Sequence, residues 1–205
     1  MNTNYIRLIN KEHPLPESFV PDNLKDIGIP FDAPYGDPKR LLEEKAAHAA
    51  LDLITRARQE GLNLYGISGY RSYKRQKELF TGSPYVAAPG TSEHQSGLAL
   101  DLSCPEVQMK LEEGFARTAE GIWLAHHAPL YGFVLRYPKN KEHITQVPYE
   151  PWHIRYVTKP LASYLSLTGP VKTSFTGSLL LHLTSQKPGR RLYQHFLCIA
   201  HGILV

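Results

Sequence analysis

One short stretch of this 205-residue chain combines metal-binding residue types with the pattern of a strand. Residues 90–103, GTSEHQSGLALDLS, contain His94 and Asp101. From position 98 the stretch alternates leucines with Ala99 and Asp101, which is the period of a half-buried β-strand. Asp101 therefore shares a face with small residues, and Gly97 allows another segment or a ligand to come close. This indicates a pocket floor, although a solvent-facing aspartate beside an ordinary loop histidine fits the stretch equally well.

A second polar cluster lies in YEPWHIRY, where Glu150 and His153 are three residues apart. Pro151 restricts Glu150 to extended backbone, which predicts that the pair lies at the start of a strand. His94, Asp101 and His153 together supply two imidazoles and one carboxylate, which matches a catalytic zinc site with an open fourth position. Glu150 would stand beside this metal, where a carboxylate can take a proton from the attacking water and pass it to a leaving amine. Each motif alone is common by chance.

The motifs, taken in order, resemble those of the zinc peptidases of the lysostaphin, D-Ala-D-Ala peptidase and hedgehog superfamily. Within it the chain resembles the VanY-type D-alanyl-D-alanine carboxypeptidases and their VanX-like dipeptidase relatives. SEHQSGLALD fits the family's SxHxxGxAxD, EPWHIRYV fits its ExWH, and SGYRSYKRQ fits its arginine turn. LINKEHPLP and YGFVLRYP also look like this family, so the resemblance extends from about residue 8 to about residue 165.

The resemblance implies that the chain removes the terminal D-alanine from peptidoglycan stem peptides or their precursors, with one zinc ion per chain. It implies that Glu150 is the catalytic base and that Arg71 lies beside the metal. There the fork of donors on Arg71 can hold a substrate carbonyl or carboxylate and stabilise the oxyanion. Gln76 and Ser92 match positions that line the family's substrate site. The implied zinc ligands are His94, Asp101 and His153.

Three alternatives stay open. D-Ala-D-Ala dipeptidases and L,D-carboxypeptidases share these catalytic parts and differ in how the pocket closes, which we expect the loop at residues 81–90 to decide. The alternative of another class is a metal-stabilised binding domain without turnover. Such a domain needs no base beside the metal, so Glu150 favours the enzyme.

The elements that must position these residues are predicted from capping and periodicity. Residues 1–38 are rich in proline, which predicts an extended wrap with few regular hydrogen bonds. A helix is predicted from Pro38, with Asp37 as its cap, to Gly61. Further helices are predicted in SYKRQKELF, over about residues 107–128 and in KPLASYLSL, and strands in LNLYGIS, around Asp101, in YGFVLRY and in PWHIRYV.

This irregular order of helices and strands, without a GxGxxG or P-loop motif, favours an α+β fold. We expect a small antiparallel sheet with helices packed around it and zinc at the sheet surface. The peptidase domain is predicted to span residues 1–165. Residues 166–205 form an extension of unknown role, whose apolar end is too short to span a bilayer.

The composition, with 42% apolar and 20% charged residues, indicates a soluble globular domain. The net charge of +4 comes from the extension, because residues 166–205 hold four basic residues and no acidic one. The neutral remainder argues against nucleic-acid binding. With no signal peptide or transmembrane run, we expect a cytoplasmic location, or one facing the cell wall if an N-terminal anchor has been removed. The oligomeric state stays open, and so does any pairing of Cys104 with Cys198.

Overall fold

The computed structural model describes residues 3–26 and 28–168. At its centre is a four-stranded antiparallel sheet in the order β3, β4, β6, β5, and a separate two-stranded sheet pairs β1 with β2. This confirms the predicted α+β class. The strands are β1 (Leu24–Asp26), β2 (Leu41–Glu43), β3 (Tyr65–Ser68), β4 (Ala99–Ser103), β5 (Phe133–Tyr137) and β6 (Glu150–Tyr156). The α-helices of this part of the chain are α1 (Glu44–Gln59), α2 (Tyr73–Leu79), α3 (Ala119–His127), α4 (Glu142–Thr145) and α5 (Lys159–Thr168).

The predicted start of the first long helix is wrong. Asp37 does cap a turn, because its side chain accepts a hydrogen bond from Lys39 N–H at 2.9 Å, but the turn is a short 3-10 helix over Pro38–Arg40. The chain then extends as β2, since β1 offers it a pairing partner. Helix α1 begins at Glu44, where the Glu43 carboxylate accepts hydrogen bonds from N–H groups of the first turn.

The predicted helix over about residues 107–128 is wrong in its extent. Gln108, with φ of 54°, follows a first 3-10 turn, and a left-handed residue does not continue a right-handed helix. A second 3-10 turn, Glu113–Arg117, ends at Thr118, whose side chain caps α3. The regular helix is therefore confined to the nine residues of α3.

The apolar side of β4 lies at the centre of the core. The leucines at positions 98, 100 and 102 are at most 2% exposed and share one apolar cluster with α1. Ala46, Leu53 and Ala57 of α1 are fully buried in this cluster. Each buried leucine contributes about 1.5 to 3 kcal/mol to folding. The opposite side of β4 is buried as well, so the strand is covered on both faces and not half-buried as predicted.

The proline-rich N-terminal segment runs along the loop that precedes β4. The N–H of Leu15 donates to the Gly90 carbonyl at 2.8 Å, and Gln95 Nε2 donates to the Pro16 carbonyl at 2.9 Å. Gly90 has φ of +83°, and a Cβ at this position would lie 2.7 Å from the Leu15 carbonyl oxygen. The segment includes a 3-10 turn at Thr3–Ile6 and strand β1, and the extended wrap stays a prediction. It holds the first sequence motif in place.

Within residues 3–26 and 28–168, no helix is both long enough and apolar enough to cross a bilayer. Cys104 is buried. Cys198 and the apolar runs of the C-terminal extension lie outside the described residues. The predicted domain boundary near residue 165 stays a prediction.

Candidate active site

Three side chains that the sequence analysis proposed as metal ligands meet on the polar side of the sheet. Strands β4 and β6 are antiparallel neighbours, and their register places Asp101 opposite His153. His94 lies in a 3-10 turn that ends at Gly97 in the left-handed conformation, with φ of +69°. A Cβ at Gly97 would lie 3.0 Å from the backbone nitrogen of Glu43, so this turn favours glycine. The turn and the strand pairing together bring the three side chains to one point.

The geometry of this cluster fits a zinc ion. One ligand atom from each residue can be chosen so that all lie within 4.8 Å of one another. Asp101 Oδ2 lies 3.1 Å from His94 Nε2, and Asp101 Oδ1 lies 2.9 Å from His153 Nδ1. Tetrahedral zinc with bonds of about 2.1 Å places its ligand atoms about 3.4 Å apart. Each of the three residues is 4% exposed, so the cluster is almost fully buried.

The ring of His94 is oriented by a backbone carbonyl. Its Nδ1 lies 2.7 Å from the Gly69 carbonyl oxygen, so Nδ1–H donates there and the Nε2 lone pair faces the cluster. Gly69 is packed so tightly that a Cβ would collide with the Leu41 carbonyl. The position of this carbonyl, and with it the tautomer of His94, depends on a glycine in the arginine turn.

Burial and pairing shift the pKa values of the cluster in different directions. Burial alone would raise the pKa of Asp101, but the two imidazoles beside it hold that pKa well below its usual range. Burial lowers the pKa of His94. For His153 the effect of burial is outweighed by hydrogen bonds to Asp101 and Glu93, which raise its pKa to about 9. Because a metal binds only the deprotonated ring nitrogen, protons compete with a metal at this site.

Glu150 stands beside the ligand cluster. It is the first residue of β6, as the following Pro151 predicts, and its Oε2 lies 3.8 Å from His153 Nδ1. Glu150 is 6% exposed, and burial raises its pKa to about 7. A carboxyl group with a pKa near neutrality can both accept and return a proton during a reaction.

Arg71 approaches the cluster from the turn after β3. Its Nη2 lies 3.9 Å from Asp101 Oδ2, and its backbone N–H donates to the His94 carbonyl at 3.2 Å. The guanidinium also donates to Ser68 Oγ at 3.0 Å and to Gln76 Oε1 at 2.9 Å. These bonds fix the plane of a cationic fork beside the cluster.

The two residues proposed to bind substrate differ in their surroundings. Ser92 lines the cavity described below and precedes the turn that carries His94. Gln76 is fully buried and does not line that cavity; it joins Arg71 to the loop after α2, since its Nε2 donates to the Ala87 carbonyl at 2.6 Å. The substrate roles of both residues stay predictions.

A cavity of about 840 Å³ opens over the cluster, which is large enough for a short peptide. The three proposed ligands, Glu150 and Arg71 form part of its lining. Most of the remaining lining comes from four segments, residues 9–11, 82–88, 111–113 and 145–147, and Glu93, Arg136 and Tyr137 also contribute to it. The loop that we expect to set substrate choice is therefore one wall of this cavity.

The sequence analysis missed three charged residues next to the cluster, Glu93, Arg136 and Arg155, of which the first two also line the cavity. Glu93 Oε1 accepts a hydrogen bond from Arg136 Nε at 2.9 Å and lies 3.2 Å from Arg155 Nη1. Glu93 Oε2 lies 3.4 Å from His153 Nε2. Two features of the sequence could have indicated these residues. Glu93 is an acidic residue directly before a proposed ligand, and Arg155 lies two residues after His153, so in a strand both side chains point to the same face.

Residues 39–159 match the sequence profile of one protein family, VanY, described as D-alanyl-D-alanine carboxypeptidase. The match covers more than half of the chain, and it includes the three-residue cluster, Glu150 and Arg71. The chain belongs to the VanY family. The relationship inferred from the sequence motifs is confirmed.

One relative is similar in sequence and one solved structure is similar in both sequence and fold. The chain is 41% identical to YodJ of Bacillus subtilis (strain 168) over 172 residues, which are 79% of this chain and 63% of YodJ. It therefore spans less than two thirds of that relative. The structure of the LD-carboxypeptidase LdcB is 40% identical, with a TM-score of 0.76 over 80% of this chain and 83% of LdcB.

A second solved structure concerns the metal. It is a mutant of the vancomycin-resistance D,D-pentapeptidase VanY in complex with Zn(II). This VanY chain is 28% identical to the present one, with a TM-score of 0.65 over 81% of this chain and 95% of the other. The presence of zinc in a family member agrees with the donor set of His94, Asp101 and His153.

Proposed function

We propose that this chain is a zinc-dependent carboxypeptidase that removes the C-terminal D-alanine from peptidoglycan stem peptides or their precursors. The observation that carries the proposal is the placement of Glu150 and Arg71, which lie 3.8 and 3.9 Å from members of the three-donor cluster and line the same cavity. A base and a cationic fork beside a metal site are the parts that peptide hydrolysis needs. Membership of the VanY family supports the choice of substrate.

In this proposal His94, Asp101 and His153 hold one zinc ion, which when bound would polarise the scissile carbonyl and acidify the attacking water. Glu150 takes the proton from that water and returns it to the nitrogen of the leaving D-alanine. Burial raises the pKa of Glu150 to about 7, so at neutral pH the carboxyl group can both accept the proton and release it again. Proton transfer of this kind is worth about 10² to 10⁴ in rate.

Arg71 orients the substrate and stabilises charge. Ser68 and Gln76 each accept one of its hydrogen bonds, which leaves further donors of the guanidinium free to meet a substrate oxygen. A C-terminal carboxylate or a developing oxyanion is the natural partner of such a fork. Ser92 would contact the substrate directly, while Gln76, being buried, would act on the substrate through Arg71.

L,D-carboxypeptidase activity is the second candidate, because the LD-carboxypeptidase LdcB is 40% identical to this chain. D-Ala-D-Ala dipeptidase activity is the remaining enzymatic alternative. All three activities need the same catalytic residues, so we expect residues 82–88 in the cavity wall to discriminate between them. A binding domain without turnover would need no buried carboxylate at the position of Glu150. A cytoplasmic location stays a prediction.

Mass spectrometry of reaction products tests the proposal. The substrates are the dipeptide D-Ala-D-Ala, a stem pentapeptide ending in D-Ala-D-Ala, and a tetrapeptide ending in L-Lys-D-Ala. We expect loss of one D-alanine from the pentapeptide and much slower loss from the tetrapeptide, with elemental analysis giving one zinc per chain. Cleavage of the tetrapeptide alone would establish the second candidate. Zinc binding without cleavage of any of the three would favour the binding domain.

A further inference from the structure

Glu93, the residue before a metal ligand, is a buried carboxylate that the proposed mechanism does not use. Its side chain is 2% exposed. Its Oε1 accepts from Arg136 Nε at 2.9 Å and forms an ion pair with Arg155 Nη1 at 3.2 Å that lacks hydrogen-bond alignment. Its Oε2 lies 3.4 Å from His153 Nε2. One carboxylate thus joins two guanidiniums, from β5 and β6, to the ring of a metal ligand.

The chemistry of these groups allows one arrangement of hydrogens when the metal is bound. A guanidinium offers only donors, so the oxygen between Arg136 and Arg155 must be an acceptor. The nitrogen of His153 that faces Asp101 is Nδ1, and it must be free of its proton to bind a metal. Nε2 then carries the ring proton and donates it to Glu93 Oε2.

The other contacts of the His153 ring do not determine which of its nitrogens carries the proton. Tyr137 packs against His153 with ring centroids 4.8 Å apart, and His94 meets it edge-on at 5.1 Å. Both contacts restrict the tilt of the ring, but neither accepts a hydrogen bond from Nε2. The ring N–H of His94 donates to a neutral acceptor, the Gly69 carbonyl. For His153 the corresponding acceptor is the Glu93 carboxylate.

We propose that Glu93 is a positioning residue, which selects the Nε2–H form of His153 and aims Nδ1 at the zinc site. Arg136 and Arg155 hold the carboxylate so that Oε2 stays directed at the ring. The inference rests on the zinc site of the proposed function. It is tested by metal affinity and by spectroscopy, so it can fail while the peptidase activity stands.

Glu93→Gln is the decisive substitution, because it keeps the shape of the side chain and changes only its hydrogen-bonding pattern. The amide oxygen must face Arg136, since that position requires an acceptor. The amide NH₂ is then left facing His153 Nε2–H, so two donors oppose each other. We expect the dissociation constant for zinc, measured by competition with a chromophoric chelator, to rise by about 10-fold to 100-fold.

Glu120→Gln is the matched control. Glu120 is another buried glutamate, 9% exposed, whose Oε1 accepts from Asn63 N–H at 3.0 Å and which does not line the cavity over the cluster. We expect zinc affinity within about twofold of the parent protein in this variant. A merely structural role of Glu93 predicts a different result, in which Glu93→Gln lowers the unfolding temperature of the metal-free and zinc-loaded protein equally and leaves the zinc dissociation constant unchanged. That result would overturn the inference.

A measurement on the unaltered, zinc-loaded protein covers the case in which Glu93→Gln does not fold. ¹⁵N-resolved NMR of the histidine rings should give a His153 Nε2–H signal that exchanges slowly with water, with Nδ1 unprotonated. A proton on Nδ1 with the metal on Nε2 would refute the assignment. Failure of the unaltered protein to bind zinc would overturn both this inference and the proposed function, whereas zinc binding without peptide cleavage would count against the proposed function alone.

Discussion

The two faces of β4 are both buried, but different interactions stabilise them. On one face, Leu100 and Leu102 are 0% exposed and belong to the apolar core that includes α1. On the other face Asp101, 4% exposed, lies within 3.1 Å of the rings of His94 and His153. Adjacent residues of the strand therefore have different requirements, since Leu100 needs a side chain of suitable volume and Asp101 needs charged partners.

The apolar face gains free energy because its surface leaves water, and it requires only a side chain of suitable volume. The polar face loses free energy when charged groups are buried, and it recovers this only if each group meets its partner. Natural proteins keep such groups where function needs them. Substitutions on the two sides of the sheet should therefore separate stability from activity.

The largest effect is expected on the polar side, from Glu150→Gln. The amide keeps the size of the side chain but cannot accept the proton, so kcat should fall by about 10² to 10⁴ while KM changes little. Zinc content should stay at that of the parent protein. Asp101→Asn is the comparison, because it removes a charged ligand and should release the metal.

Steady-state kinetics and elemental analysis of the two variants, measured side by side, test this prediction. Equal loss of zinc from both would make Glu150 a fourth ligand and favour the binding domain. Full activity of Glu150→Gln would remove Glu150 from the mechanism.

On the apolar side, Leu100→Ala should lower the free energy of unfolding by about 2 to 5 kcal/mol, because it opens a cavity in a closely packed core. Its zinc affinity and its kcat, corrected for the folded fraction, should stay within about twofold of the parent. Leu111→Ala is the control, since Leu111 is 37% exposed and should cost less than about 1 kcal/mol. Urea unfolding gives these values. A large loss of zinc affinity in folded Leu100→Ala would show that the two faces are coupled.

A smaller effect is expected at an ion pair away from the site, where Asp26 Oδ2 accepts from buried Arg40 Nε at 2.8 Å. Burial opposes ionisation of Asp26, but the hydrogen bond and charge of Arg40 outweigh it and lower the pKa of this carboxyl. The stabilisation is therefore fully present above the unfolded pKa of 3.8 and is lost as the pH falls through the lower folded value.

Asp26→Asn should therefore cost about 1 kcal/mol at pH 7 and progressively less below pH 3.8, where the parent carboxyl also becomes neutral. Urea unfolding at several pH values measures the difference. A difference that stays constant down to the lowest pH would show that the carboxylate charge contributes nothing. Zinc affinity at pH 7 should not change, in contrast to substitutions beside the cluster.

The smallest effect is expected from truncation after residue 168. Every residue assigned to the site lies before this point, so zinc content and peptidase rates should stay within about twofold of those of the full chain. The same kinetic and elemental measurements apply. A truncated protein that folds and binds zinc but is inactive would place part of the site in the extension.

Local patterns in the sequence singled out the three residues that meet in the cluster, and they predicted several elements. The alternation around Asp101 marks β4, Pro151 marks the start of β6, and the left-handed Gly61 follows the end of α1. These features depend on residue type and on neighbours a few positions away, which is the range over which backbone preference and side-chain period act. The motif spacing also identified the family.

Contacts between distant segments decided the rest. Pairing with β1 turned residues 41–43 into a strand, although Asp37 and Pro38 signal a helix start there. The register of β4 with β6 placed Asp101 beside His153, and only the folded sheet brought Glu93 beneath that ring. Such arrangements depend on which segments, far apart in the sequence, pack against each other. Burial and pairing, and not local propensity, determine their free energy.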